Sequence, residues 1–531
     1  MVMKVSLFLV VLSIFCVIFK AYTEVNSQND GSNDPTLTNR EFHKEDRSSE
    51  PTRKTKEEDG NGAISAKLHL RKRPINHGYE PKTHILDSAM RDLVRIQTLR
   101  RKVIEKKYTN SVSRKEEVKE RKNIKNPAND FLQSFKSSKD EFSGNIMATL
   151  ESGASLGTGE YFIDMFIGTP PKHVWLILDT GSDLTWIQCD PCFDCFEQNE
   201  PVYVPKDSSS YRNITCYDHQ CQLVSSPDPI HPCKDENQTC PYFYGYADGS
   251  NTTGDFALET FTVNLTWPHN GKGKFKHVVD VMFGCGHWNK GFFHGANGML
   301  GLGRGPLSFS SQMQSIYGHS FSYCLTDLFS NTSTSSKLVF GEDKDLLNNH
   351  NNLNFTTLLD GEESPDDTFY YLKIKSIMVG GEVLDIPEQT WHWSSSEGAL
   401  GGTIIDSGST LTFFPDPAYG IIREAFEKRI KLHQVAEDGF VMSPCYNMSG
   451  AQQVELPKFG IRFADGVVWN FPSENYFYQY EPNEVICLAI IKSPNHSNVT
   501  IIGNLLQQNF HILYDVKRSR LGYSPMKCAE V

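Results

Sequence analysis

Apolar positions change their spacing several times along this chain, and each change predicts a different kind of structure. Val5–Phe19 is an almost unbroken apolar run, softened only by Ser6, Ser13 and Cys16, behind the short basic stretch Met1–Lys4. A spanning helix needs ~20 such residues, so the run fits the apolar region of a secretory signal. Lys20-Ala21-Tyr22-Thr23 is an imperfect cleavage site, which places a signal at residues 1–23 and leaves retention as an anchor open. To about residue 65 the chain then shows no period and is expected to be disordered. Ile85–Lys107 restores one: Leu86, Ala89, Met90, Leu93, Ile96 and Leu99 recur at three- and four-residue spacing, an apolar stripe on a basic helix.

Beyond Gly159 the period shortens to that of strands. "EYFIDMFIGTPPKHVWLILDTGS" predicts two strands joined at a Pro-Pro turn, and "FALETFTVNLTW", "HVVDVMFGCG", "KLVFG" and "FYYLKIKSIMVGGEVL" continue the pattern between Gly, Pro, Asn and Asp breaks. Two helices interrupt it. One is short, near Leu307–Ile316. The other starts at Asp416 as N-cap with Pro417 following, and presents Ile421, Ile422, Ala425, Phe426 and Ile430 on one face. The Ser/Thr-rich "FSNTSTSSK" from Phe329 to Lys337 is expected to be a hinge between two mostly β halves, 159–335 and 336–531.

Each half carries the same phrase once. "DTGSDLTW" starts at Asp179 and "DSGSTLTF" at Asp406, and they share Asp, Gly, Ser, Leu and Thr at matching positions. Aliphatic residues run straight into each Asp ("VWLILD", "GTIID"), so a strand delivers each carboxylate into a turn opened by Gly181 or Gly408. A single Asp-Thr-Gly-Ser is an ordinary surface turn. Two copies behind buried-type strands predict duplicated units about an approximate two-fold axis, with Asp179 facing Asp406. Two carboxylates in contact share one proton, and such a pair can take a proton from water while donating one to a carbonyl oxygen. That chemistry hydrolyses a peptide bond without a metal, a cofactor or an acyl-enzyme.

Composition divides the chain at the same place. Residues 1–144 hold 28 of the 52 Lys+Arg and 20 of the 64 Asp+Glu, so a basic segment precedes an acidic body. A removable basic pro-segment over residues 24–145 is the reading preferred to nucleic-acid or membrane binding, neither of which is expected after a secretory signal. Nine Asn-x-Ser/Thr sequons, at Asn213, Asn237, Asn251, Asn264, Asn331, Asn354, Asn447, Asn495 and Asn498, are glycosylation candidates. Setting aside Cys16, twelve cysteines remain: Cys189, Cys192, Cys195, Cys216, Cys221, Cys233, Cys240, Cys285, Cys324, Cys445, Cys487 and Cys528. In an oxidising compartment this even number predicts up to six disulfides, with the connectivity open. Metal ligation at Cys189-x2-Cys192-x2-Cys195 is the weaker alternative.

With these residues in hand, the chain resembles the pepsin-type aspartic endopeptidases over about 159–531, and among them the plant nepenthesin-like branch. "GMLGLG" at Gly298 and "IIGN" at Ile501 are similar to that family's hydrophobic-hydrophobic-Gly elements, one per lobe, and the Cys-rich insert 189–240 points to the branch. The resemblance implies a bilobal, mostly β, double-barrel fold with a cleft between the lobes. It implies Asp179 and Asp406 as the catalytic pair, Thr180 and Ser407 as the hydroxyls that cross-link the two loops, and Ser182 and Ser409 as partners of the outer carboxylate oxygens. "YADGS" at 246–250 resembles the flap turn, with Tyr246 as its tyrosine and Ala247 replacing a glycine. Trp186, seven residues after the first Asp, matches the tryptophan that hydrogen-bonds that tyrosine.

"GASLG" at Gly153–Gly157 satisfies a serine-hydrolase pattern but lacks the strand before and helix after that such an elbow needs, so a flexible junction near the mature N-terminus is expected there. The sequence therefore predicts a monomeric, secreted zymogen of the apoplast or cell wall, or alternatively the vacuole. It matures near 140–158, with its own pro-segment as intramolecular inhibitor and extended polypeptides as substrates. The alternative is a catalytically silent binding or inhibitor protein on the same fold.

Overall fold

The structure, a computed structural model, describes Asp92 and residues 145–530 except 154–157, 226–232, 247–248, 267–273, 329–335, 342–352, 361–366, 392–400, 436–441, 451–453, 482–484 and 495–497. The chain divides into two compact units, Met1–Ile75 and Asn76–Val531, and everything described belongs to the second. The signal at 1–23 and, apart from Asp92, the basic helix at 85–107 lie outside the described residues.

The described chain is mostly β and bilobal, joined by a run of strands through its centre. In order these are Asn354–Thr357, Arg520–Pro525, Phe510–Asp515, Ser320–Cys324, Ser336–Phe340 and Asn145–Ser152. Their inward residues form a shared core. Phe321 pairs with Tyr514 across the ladder and their rings stack at 4.5 Å; Trp469 stacks on Tyr523 at 4.4 Å. The hinge expected at 329–337 is thus replaced at its C-terminal end by an ordered strand, because "SKLVF" has apolar residues that this sheet can bury. Residues 329–335 lie outside the described residues.

Asn145–Ser152, ahead of the expected start of the N-terminal lobe at 159, is a strand of the same sheet. It pairs with Ser336–Phe340, with Tyr161–Ile167 and with Asn251–Thr266, and buries Ala148 and Leu150. Gly153 N–H donates to the Glu160 carbonyl at 2.8 Å and Thr158 N–H to the Gly153 carbonyl at 3.0 Å. Of "GASLG", only Gly153 is among the described residues, so the flexible junction expected there lies outside them.

The longer helix also starts later than its sequence suggests. It spans Ala418–Arg429, with Pro417 rather than Asp416 at the cap position, and buries Ala418, Ile422, Ala425 and Phe426. The Asp416 carboxylate pairs with Lys492 instead of capping. The short helix is split at Met313 into Phe309–Gln312 and Gln314–Tyr317, and the Ser308 side chain caps the first by accepting from Ser311 N–H.

All twelve cysteines pair: Cys189–Cys285, Cys192–Cys195, Cys216–Cys233, Cys221–Cys240, Cys324–Cys528 and Cys445–Cys487. The first four hold the Cys-rich insert to itself and to the long hairpin of Asn251–Thr266 and Lys274–Lys290. The fifth fixes the C-terminus beside the central sheet. Among the described residues no helix is long and apolar enough to cross a membrane.

Candidate active site

The two copies of the repeated phrase occupy equivalent positions in two matching arrangements of strands. Lys172–Asp179 runs parallel to Gly298–Gly301, placing Asp179 opposite Gly301. Gly401–Ile405 runs parallel to Asn498–Ile502, with Ile405 opposite Ile502. Seven residues after each Asp the chain returns antiparallel to the same partner, Trp186 to Met299 and Phe413 to Ile501. Each returning strand then runs parallel to one more, Trp186 beside Gly284 and Phe413 beside Ile491. The glycines of the hydrophobic-hydrophobic-Gly elements allow the crossing. A Cβ on Gly301 would lie 2.3 Å from the Asp183 carbonyl oxygen, and one on Gly503 2.1 Å from that of Leu411. Neither backbone can yield, so only glycine fits.

This packing buries both carboxylates completely. Asp179 Oδ1 accepts from Gly181 N–H at 2.9 Å, and its Oδ2 accepts from the Ser182 hydroxyl at 2.5 Å. Asp406 repeats the pattern with Gly408 N–H at 2.9 Å and the Ser409 hydroxyl at 2.8 Å. The next residue of each phrase reaches across. Thr180 N–H donates to Ser407 Oγ at 3.1 Å, and Ser407 N–H donates to Thr180 Oγ1 at 2.9 Å; the Ser407 hydroxyl itself donates to the Leu178 carbonyl at 3.0 Å.

Around this centre lie residues that no pattern in the sequence marked. Gln507 donates from Nε2 to the main-chain carbonyls of Ile502 at 2.8 Å and Asp406 at 3.3 Å, and its Oε1 accepts from the Tyr323 hydroxyl. Tyr323 and Tyr514 share a hydrogen bond at 2.9 Å, so a buried polar chain runs from the central sheet to the back of the Asp406 loop. Asn504 Nδ2 donates to the carbonyls of Ser407 at 3.0 Å and Gly159 at 2.8 Å. Asp183 accepts from Gly305 N–H at 2.8 Å and from the Thr368 hydroxyl at 2.7 Å, tying the first loop to the second half of the chain.

Tyr246 lies within electrostatic reach of Asp179. Its N–H donates to the Ser250 carbonyl at 2.7 Å, closing a turn whose residues 247 and 248, including Ala247, lie outside the described residues. Trp186 Nε1 donates to the Tyr246 hydroxyl at 2.5 Å, so the indole holds the tyrosine of this turn. Burial first, then the neighbouring Tyr244 and Asp179, raise the Tyr246 pKa well above the ordinary phenol value, keeping its hydroxyl neutral. Phe293 packs edge-on to Trp186 at 5.1 Å and against Phe196 of the Cys-rich insert at 4.5 Å, forming a second apolar cluster beneath the turn.

The insert itself is fastened by His287, which bonds to the Pro191 carbonyl at 2.9 Å and to Asp255 at 3.4 Å. Burial disfavours a charge on His287, but Asp255 and the carbonyls of Cys189 and Pro191 outweigh it, and its pKa is raised. Of the sequons, Asn213, Asn237, Asn354, Asn447 and Asn498 are exposed and Asn251 is half-buried; Asn331, Asn495 and the side chain of Asn264 lie outside the described residues. Among the described residues no group of three or more His, Cys, Asp or Glu side chains is placed to hold a metal ion.

A duplicated β arrangement that brings two Asp-(Thr/Ser)-Gly-Ser loops into mutual hydrogen bonding defines a pepsin-like fold. Comparison with known proteins agrees. The family models described as xylanase inhibitor N-terminal and xylanase inhibitor C-terminal match residues 161–342 and 369–525. Aspartyl protease family protein 2 of Arabidopsis thaliana is 37% identical over 387 residues, covering 73% of this chain and 74% of that protein. Aspartic proteinase nepenthesin-2 of Nepenthes gracilis is 37% identical over 393 residues, covering 72% and 83%. The crystal structure of edgp superposes with a TM-score of 0.60 at 22% identity, covering 74% of this chain and 97% of that one. The chain belongs to the pepsin-like aspartic protease family, with nepenthesins among its relatives.

Two outcomes follow from this geometry. Thr180→Val and Ser407→Ala should each cost about 1–3 kcal/mol, because each strands a buried partner. Together they should cost less than their sum, with a coupling of at least ~0.5 kcal/mol in denaturant melts; strict additivity would show that the cross-link does not act as a unit. For His287, a raised folded-state pKa means that the stabilisation is fully present below the ordinary value of 6.5 and is lost as pH rises through the raised one. His287→Gln should therefore lower Tm more at pH 5 than at pH 8, by on the order of 2 °C. Equal losses at both pH values would assign His287 a packing role alone.

Proposed function

We propose that the protein is an aspartic endopeptidase that hydrolyses extended polypeptides at acidic pH and is made as a zymogen. The observation that carries the reading is the matched holding of Asp179 and Asp406, each fully buried, each with one oxygen on a glycine N–H and the other on a serine hydroxyl. Two such carboxylates on cross-linked loops cannot both ionise comfortably and share a proton. The ionised member takes a proton from a water that attacks the scissile carbonyl, while the protonated member donates to the carbonyl oxygen. Collapse of the tetrahedral species breaks the C–N bond as the departing nitrogen is protonated. The neutral Tyr246 hydroxyl is fixed by Trp186, and on this reading its turn serves as the flap over the substrate. The relationship to aspartic proteinase nepenthesin-2 supports the same reading.

The signal at 1–23, the twelve paired cysteines and the sequons support secretion, to the apoplast or cell wall, with the vacuole as the other destination and a monomer as the working form. A second reading has one observation in its favour: the matching family models carry the description of xylanase inhibitors. On that reading the fold is a binding module and the dyad is scaffold. The intact pair of Asp, Gly and Ser at both loops favours catalysis.

Wild type should cleave an unstructured protein in acid and be blocked by a statine-type inhibitor. Asp179→Asn and Asp406→Asn should each lower kcat by about 10²–10⁴-fold or more while keeping the wild-type melt. Folded wild type that stays inert at every pH after removal of its pro-segment would transfer the case to the binding module. N-terminal sequencing of the mature form gives a separate check. Because Asn145–Ser152 is a strand of the body, the cut should fall at 140–144 rather than across the whole 140–158 window. A terminus at or beyond 153 would mean that this strand is shed.

A further inference from the structure

Asp92 is separated by more than three hundred residues from the loop it contacts. Its carboxylate is 4% exposed, and Oδ2 accepts from two successive main-chain donors, Thr410 N–H at 2.8 Å and Leu411 N–H at 3.0 Å. These are the fourth and fifth residues after Asp406. The main-chain carbonyls of that loop are already engaged within its own lobe. Asn504 N–H donates to the Ser409 carbonyl at 2.7 Å and Leu505 N–H to the Thr410 carbonyl at 3.1 Å. Asn504 Nδ2 holds the Ser407 carbonyl. Carbonyls on the loop thus find donors inside the body, whereas these two amides find an acceptor in the segment preceding it.

The two copies of the phrase differ at this point. Where the second has Thr410, the first has Asp183, whose N–H donates to the Tyr244 hydroxyl at 3.1 Å. The N-terminal loop is therefore completed by a residue of the body, and the C-terminal loop by Asp92. In the sequence, Asp92 lies three residues after Ala89 and four before Ile96, on the apolar stripe of the predicted basic helix. A carboxylate on the buried face of such a helix is costly unless it is paired. Two main-chain N–H groups converging on one oxygen are a strong, charge-assisted way to pair it.

We propose that Asp92 is the latch of an autoinhibitory contact, by which the chain's own pro-segment is held on the catalytic loop of the C-terminal lobe through the amides of Thr410 and Leu411. The inference rests on reading residues 24–144 as a removable segment of a protease precursor. The contact is of a different kind from the general attraction between a basic segment and an acidic body. It places an acidic side chain against neutral main-chain donors, so the helix register, not net charge, decides whether it forms. Being buried, it is also little screened by salt.

The test uses the full chain in an Asp179→Asn background, with Asp92→Ala and Asp92→Asn added in turn. Hydrogen–deuterium exchange would be read over the segment containing Thr410 and Leu411. Cutting of residues 76–144 by added trypsin, at matched circular dichroism and melting temperature, would be read alongside it. Asp92→Ala should speed exchange of those two amides by about tenfold and cutting by about fivefold. Asp92→Asn, which keeps an oxygen acceptor without the charge, should fall between parent and alanine. If either readout stays within about twofold of the parent in both variants, the latch is wrong. Asp92→Asn also serves where the alanine variant fails to fold. Neither readout needs the protein's own catalysis, so an inert dyad would sink the protease reading and leave this contact standing.

Discussion

Everything at the centre of this molecule depends on one reciprocal exchange, in which each catalytic loop gives a main-chain N–H to the hydroxyl at the same position of the other. Two buried acidic side chains brought together from separate lobes repel one another and lose their hydration, and the fold must hold them there. The exchange does this without spending any carboxylate oxygen. Thr180 and Ser407 hold the loops to each other, which leaves Asp179 and Asp406 to be oriented by their own glycine amides and serine hydroxyls. On the protease reading proposed above, separating position from orientation in this way would let the two carboxyls share a proton in a fixed geometry.

The cross-link can act only on loops that are themselves rigid, and the strand crossings provide that rigidity. Gly301 and Gly503 let a carbonyl of the neighbouring loop approach where any side chain would collide. The C-terminal loop is further fixed from behind by Asn504 and Gln507, which donate to its main-chain carbonyls, and by the phenols of Tyr323 and Tyr514, which hold Gln507 in turn. Burial raises the pKa of both phenols, and they remain neutral donors at any pH at which the protein would work. The scaffold therefore does not titrate with the dyad, which matters for an enzyme expected to work in acid.

How much of this was legible in the sequence depended on whether a residue's partner is written nearby. The octapeptides carry their own local bonds, from Asp to the glycine two residues on and the serine three residues on. Reading them as paired units gave the fold, the two loops and the residues around each carboxylate. Asn504 and Gln507 had no such signature, since their partners lie about a hundred residues away and appear only when the lobe closes. Asp183 was visible only as a mismatch between the two copies, and its role depends on Thr368 from the other half. The indole of Trp186 reaches the hydroxyl of Tyr246, sixty residues away, a pair that only the resemblance of two separate motifs could join in advance. The later start of the Ala418–Arg429 helix has the same cause: Asp416 reads as a cap until Lys492, distant in sequence, offers it a charge.

Net charge and the Asp92 contact act at different distances, and the difference bears on how a precursor could be both stable and releasable. Opposite net charges on the segment before residue 145 and on the body after it attract over a Debye length, weakly and without fixing a register. Such attraction falls as body carboxylates are protonated. A single buried carboxylate on two amides acts only at contact, requires one register, and retains part of its strength in salt. The diffuse attraction therefore governs how readily the segment approaches, and the short bond governs whether it stays. Because the short bond lies a few residues from Asp406, its loss is felt at the loop that positions the catalytic carboxylate, whereas a change in the diffuse term is spread over the whole surface.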